Sequence, residues 1–171
     1  FPVYGKSLEL KWHEAIGFTS EFKGQSGSEF QLLFSGVFDR ALEILGHDAD
    51  PNLRSGHFAI ESTLPVGAGL GASAALAVAV GRWFLYRGAV KESELFGFCR
   101  ELENLFHGES SGVDIAVAIE SRGLYFERDM ASSESHMRSF TPCWQPVWYI
   151  SYSGTRGITA ECVGKVKAMI E

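Results

Sequence analysis

From Ser7 to Trp12 apolar and polar side chains alternate, and Gly17 to Phe22 repeats the alternation, so two neighbouring strands that pair with each other are predicted. A glycine and serine turn, Gly24 to Ser28, follows. Between Glu29 and Leu45 the apolar residues Phe30, Leu33, Phe34, Val37, Phe38, Ala41 and Leu45 recur at three-and-four spacing, the stripe of an amphipathic helix that Gly46 ends. His57 to Thr63 reads as a strand, followed by a glycine-rich turn and an alanine-rich helix from about Ala72 to Tyr86. A second helix, about Lys91 to Phe106, opens with the polar residues expected of a first turn. Beyond it the pattern predicts a short buried helix (Gly112 to Glu120), a strand (Gly123 to Glu127), a polar loop (Arg128 to Ser139), a strand (Pro146 to Ser153) and a final helix from Thr159. Strand pairs beside paired helices favour an α+β layered fold over strict βα alternation.

Composition narrows what such a fold can do. A chain of 171 residues with 46% hydrophobic content is sized for one domain with a sizeable core. Its 13 Phe, 4 Trp and 5 Tyr supply the apolar area that disorder lacks. A formal charge of -6 without clustered Lys or Arg argues against a nucleic-acid partner, yet leaves room for a small anion held by backbone amides. The longest apolar stretch, Ala72 to Val80, is broken by Gly81 and Arg82 and is too short for a membrane span. Cys99, Cys143 and Cys162 are widely spaced, without a CxxC pair, and read as reduced thiols of a cytoplasmic protein. The sequence starts at Phe1 and stops inside an amphipathic pattern, so a piece of a longer protein is expected.

The run Pro65-Val66-Gly67-Ala68-Gly69-Leu70-Gly71-Ala72-Ser73-Ala74-Ala75 stands between a predicted strand and a predicted helix. Unpaired amides and the positive end of the helix dipole favour an anion there. Glycine at every second position opens torsions closed to other residues and lets the backbone approach phosphate oxygens. Ser73, in the first helical turn, can offer its hydroxyl to a phosphate-bound Mg²⁺. A Walker-type loop needs Lys and Ser or Thr after the last glycine, and Ala72 stands there instead. A dinucleotide fold needs an acidic strand end about 20 positions on, where this chain has Val90-Lys91-Glu92-Ser93 entering another helix. A glycine-rich bend that merely packs an alanine helix tightly is the remaining alternative.

A second constellation, Glu103-Asn104-Leu105-Phe106-His107-Gly108-Glu109-Ser110-Ser111-Gly112-Val113-Asp114, joins an acidic helix end to a turn of small residues and a further carboxylate. Asp114 opens an apolar segment, where a carboxylate either caps the helix or does chemistry. Glu103 and His107 share a helical face, which by itself more often marks a solvated pair than a ligand set. Phosphoryl transfer asks for this combined inventory: glycine amides on the phosphates, a hydroxyl and a carboxylate on Mg²⁺, and a second carboxylate near the acceptor hydroxyl.

These residues resemble the GHMP kinases (galactokinase, homoserine kinase, mevalonate kinase, phosphomevalonate kinase), whose second motif reads P-x-G-x-G-L-G-S-S-A-A. Pro65 to Ala75 follows it, with Ala72 at the first serine. His107 to Val117 is similar to the H-G-N-P-S-G-V-D-N-A-V stretch of the mevalonate kinases, with Glu109-Ser110 for Asn-Pro and Ile115 for Asn. The resemblance implies a domain like the second domain of ribosomal protein S5. It implies ATP at Pro65, Gly67, Gly69, Leu70, Gly71, Ala72 and Ser73, and Mg²⁺ on Ser73 and Glu103. It makes Asp114 the catalytic aspartate and sets His107, Gly108, Ser111 and, through a looser match, Thr159 near the substrate. Residues 1–171 are then the N-terminal, ATP-binding domain of a kinase. The family's lysine motif with G-E-H or G-E-Y and its C-terminal domain lie outside the segment. The implied activity is phosphorylation of a small-molecule hydroxyl, foremost mevalonate, with a sugar acceptor or a non-catalytic, ligand-binding relative as alternatives; a homodimer fits the same resemblance.

Overall fold

The computed structural model describes residues 7–24, 27–46, 50–64, 67–128, 135–141, 143, 144, 147, 149, 151, 154, 165, 166, 168 and 169. Its elements run β1 (Leu8–His13), β2 (Phe18–Gly24), α1 (Gly27–Leu45), β3 (Gly56–Ser62), α2 (Ala72–Tyr86), α3 (Leu95–His107), α4 (Val113–Glu120), β4 (Gly123–Arg128) and β5 (Ser135–Phe140). Short 3₁₀ turns at Pro51–Arg54 and Glu92–Glu94 precede β3 and α3. The α+β class follows: a three-stranded sheet with helices on one face, and a separate two-stranded ribbon.

The first two strands form where expected but do not pair with each other. The sheet order is β1-β3-β2, with β3 antiparallel to β1 and parallel to β2. The central place falls to the strand with the most buried residues, Gly56, Phe58, Ile60 and Ser62. Its neighbours carry the exposed charges Glu9, Lys11, Glu21 and Lys23, which suit edge strands. The link from β1 to β2 arches across the start of β3, where the Gly56 N–H donates to the Gly17 carbonyl at 2.8 Å.

Alternation sends Leu8, Leu10 and Trp12 of β1 towards the helices, with Phe18 and Phe22 of β2. Against them α1 buries the stripe Phe30, Phe34, Val37, Phe38 and Ala41, as its spacing predicts. Ring centroids lie 5.1 Å apart for Phe38–Phe58 and Phe58–Trp83 and 4.8 Å for Trp83–Phe84, so α1, β3 and α2 share one aromatic core. The Arg87 guanidinium, just past α2, stands 5.1 Å from the Trp12 ring and 5.5 Å from the Trp83 ring, fastening that end of the helix to β1.

The segment expected as a polar loop, Arg128 to Ser139, holds all but the last residue of β5, which pairs antiparallel with β4 from Gly123↔Phe140 to Arg128↔Ser135. The described residues of β5 are exposed on both faces, so the strand lacks the half-buried alternation by which strands are recognised. The strand expected at 146–153 and the helix from Thr159 lie largely outside the described residues; Lys165, Val166, Ala168 and Met169 are helical.

Helices α2 and α3 meet at a small residue. A Cβ on Gly81 would overlap Cys99 Sγ and come within 3.2 Å of Leu95 Cδ1. Gly81→Ala is expected to destabilise the fold by about 1–3 kcal/mol through overpacking. In a Cys99→Ala background the same change is expected to be neutral or stabilising, because the overlap with Sγ is gone, the flexible Leu95 side chain needs to give only a few tenths of an ångström, and alanine has the better helix propensity. Urea unfolding of the four proteins of this cycle checks the sign reversal.

Candidate active site

Strand β3 ends at Ser62, whose hydroxyl accepts the Leu64 N–H at 3.1 Å and turns the chain towards α2. Gly67, Gly69 and Gly71 then take φ of 74°, 71° and 68°, the left-handed region in which only glycine is at ease. Gly71 is the N-cap of α2 and has no side chain with which to cap it; its carbonyl accepts the Ala75 N–H at 2.9 Å. A Cβ on Gly69 or Gly71 would meet nothing within 4 Å. Among the described residues the turn is thus open at Gly69 and Gly71, the two positions that lead into the helix N-terminus. Gly67, Gly69, Leu70 and Gly71 form the turn and Ala72 and Ser73 open α2, while Pro65 lies outside the described residues.

The short link between α2 and α3 makes them antiparallel neighbours. With Gly81 set against Leu95 and Cys99, the glycine turn and Glu103 lie towards the same end of the pair. Glu103 is 2% exposed, a buried carboxylate that needs hydrogen-bond donors. The chain after α3 doubles back to provide one, and the Ser110 hydroxyl donates to Glu103 Oε2. The same hydroxyl accepts the Gly112 N–H at 3.0 Å, and the Ser110 N–H donates to Asn104 Oδ1 at 2.7 Å.

Gly112, at φ 83°, is the N-cap of α4 and lies so close to α3 that a Cβ would approach Phe96 Cζ at 2.8 Å. Asp114 follows in the first turn, exposed, while the Ser111 hydroxyl accepts the Val113 N–H at 3.4 Å at the head of the helix. Its carboxylate is thus not the cap that one reading of the sequence allowed. At the other end of α4, Arg82 of α2 donates to the Ile119 carbonyl at 2.8 Å. Gly108, at φ 75°, ends α3, and Ser111 is exposed beside the bonded Ser110. The His107 side chain and Thr159 lie outside the described residues. Sequence reasoning missed Ser110 and Asn104 as the groups bracing Glu103; a serine-rich turn after an acidic helix end was the available signal.

Donor chemistry is the test of fit for a metal. Glu103 and Ser73 offer hard oxygens at one end of the α2–α3 pair, beside a turn suited to phosphates, and Mg²⁺ is ordinarily held by one or two carboxylates together with substrate phosphates. The donor set fits Mg²⁺; it has none of the sulfur or imidazole ligands of zinc.

Such a layout, a glycine turn heading a helix with a buried acid on the next helix and an exposed one on the helix after it, suits the small-molecule-kinase class. Residues 33–122 match the family described as GHMP kinases N terminal domain, and the chain belongs to that family. It is 33% identical over 177 residues to the mevalonate kinase of Thermococcus sibiricus, covering 96% of this chain and 49% of that protein. With the mevalonate kinase of Thermococcus onnurineus it shares 30% identity over 176 residues, again 96% of this chain and 49% of the relative. The chain thus spans about half the length of the curated relatives it matches. A crystal structure of L. major mevalonate kinase in complex with R-mevalonate superposes with a TM-score of 0.54 at 20% identity, over 78% of this chain and 42% of that one, and shares the fold.

Behind Glu103 lies Cys99, fully buried, whose thiol is pushed up to about 12 by burial; nearby Arg82 opposes the shift and Glu103 adds to it. Below the ordinary value of 9.0 the thiol is neutral whether the chain is folded or unfolded, so it makes no pH-dependent difference. Above it the unfolded chain ionises and the folded one does not, so stability is lost as pH rises from 9 towards 12. Cys99→Ala is expected to flatten that alkaline decline in urea midpoints. At pH near 8, peptide mapping after alkylation is expected to find the exposed Cys143 modified and Cys99 spared.

Proposed function

We propose that this chain is the N-terminal, ATP-binding domain of a kinase that transfers the γ-phosphoryl group of ATP to a hydroxyl of mevalonate, giving 5-phosphomevalonate. One observation carries the reading: the hydroxyl that holds the buried Glu103 also holds the backbone that presents the exposed Asp114. A buried and an exposed acid are thereby set on neighbouring helices, beside a glycine turn with room for phosphates. The names of the relatives support mevalonate as the acceptor.

The amides from Gly67 to Ser73 bind the phosphate chain, with Pro65, Leu70 and Ala72 shaping the turn. Ser73 and Glu103 hold Mg²⁺, which when bound neutralises charge on the phosphate oxygens. Asp114 accepts a hydrogen bond from the acceptor hydroxyl and takes its proton as the new P–O bond to the γ-phosphorus forms and the bond from that phosphorus to the β,γ-bridging oxygen breaks, with ADP as the leaving group. His107, Gly108, Ser111 and Thr159 border the acceptor. The half of the relatives' length that this chain does not span would complete the pocket. Most of the acceleration comes from positioning and charge neutralisation. Residence in the cytoplasm and assembly as a homodimer belong to the same proposal.

The test is turnover by the intact protein with ATP, Mg²⁺ and mevalonate, followed by ADP release and the mass of the product. Phosphorylation of galactose or another sugar in place of mevalonate would reassign the acceptor. Silence with every alcohol in a broad panel would remove the kinase reading. In the active protein Asp114→Asn is expected to lower kcat by on the order of 10² or more while nucleotide affinity stays close to wild type. Undiminished turnover would take Asp114 out of the mechanism.

A further inference from the structure

Ser110 is 7% exposed and lies between the two acids. A hydroxyl has one proton and two acceptor sites, and the backbone N–H of Gly112 can only donate. With that N–H aimed at Ser110 Oγ from 3.0 Å, the single proton of the hydroxyl is left for Glu103 Oε2. The direction of both bonds is therefore fixed. Ser110 is itself held from behind, its N–H on Asn104 Oδ1 at 2.7 Å and Asn104 Nδ2 on Glu101 Oε2 at 3.2 Å. Its oxygen thus bonds both the Glu103 carboxylate and the N–H of the left-handed Gly112, two residues before Asp114.

We propose that Ser110 is a positioning residue that aims the Glu103 carboxylate at the metal and, through the same oxygen, fixes the helix start that presents Asp114. The proposal rests on the kinase reading, in which Glu103 is a metal ligand and Asp114 faces the acceptor. Partners that orient a metal-binding carboxylate typically change metal affinity by about 10- to 100-fold when removed. A hydroxyl that served only to satisfy a buried oxygen would alter folding and leave metal affinity alone.

The test reads Mn²⁺, an EPR-visible stand-in for Mg²⁺, bound to the intact protein with a non-hydrolysable ATP analogue, alongside the thermal midpoint of each variant. Ser110→Ala and Ser110→Val are expected to weaken Mn²⁺ binding by about 10- to 100-fold. Ser110→Thr, with the shape of valine but a hydroxyl, is expected to bind Mn²⁺ like wild type. Wild-type affinity in the Ala or Val protein overturns the proposal, as does a Thr protein as weak as the Val one. Should only the Thr protein fold, the hydroxyl is a folding device and the proposal is likewise overturned. Ser73→Ala and Glu103→Gln serve as references. Unchanged Mn²⁺ affinity in both would show that the metal site itself is misassigned, and the proposal would fall with it.

Discussion

A carboxylate buried as deeply as Glu103 destabilises a fold by several kcal/mol unless donors surround it. That constraint organises the second half of the domain. Because Ser110 supplies a donor, the chain after α3 must double back; because it doubles back, α4 begins against α3 and not out in solvent. The location of Asp114 answers two demands at once, the donor that Glu103 needs and the burial of Ile115 and Ala116 on the same short helix.

The opposite end of the architecture is apolar and does a different job. Phe34, Phe38, Phe58, Trp83 and Phe84 lock α1 and α2 onto the central strand, and Arg87 clamps the end of α2 between two indoles. A helix held that firmly along its length can begin at a glycine, with open space beside Gly69 and Gly71. Rigidity in the core and openness at the helix start are complementary, since a cradle built only of backbone needs a fixed base.

Local chemistry was legible where neighbours in sequence decide it. The bounds Ala72–Tyr86 follow from glycine before the helix and a polar stop after it, and the α1 stripe follows from spacing alone. Strand partnership was not legible, because β3 joins β1 and β2 from more than thirty residues away and its claim to the centre rests on burial, which only the packed sheet shows. Strand β5 escaped notice because both of its faces are wet. The candidate site divides in the same way. The glycine turn and the three acidic or hydroxylic residues Ser73, Glu103 and Asp114 announce themselves by type and spacing, whereas the Ser110 bond spans a reversal of direction that no periodicity encodes.

Helix α4 has only eight residues and is fastened near both ends to different partners, at its start to α3 through Ser110 and at Ile119 to α2 through Arg82. Mechanically it is a strut across a hinge. Any sliding of α2 along α3 would have to shear one of its two fastenings, and the glycine–cysteine contact between those helices leaves no slack for sliding. The aim of a single surface acid is thereby inherited from interior packing on the far side of the helix pair.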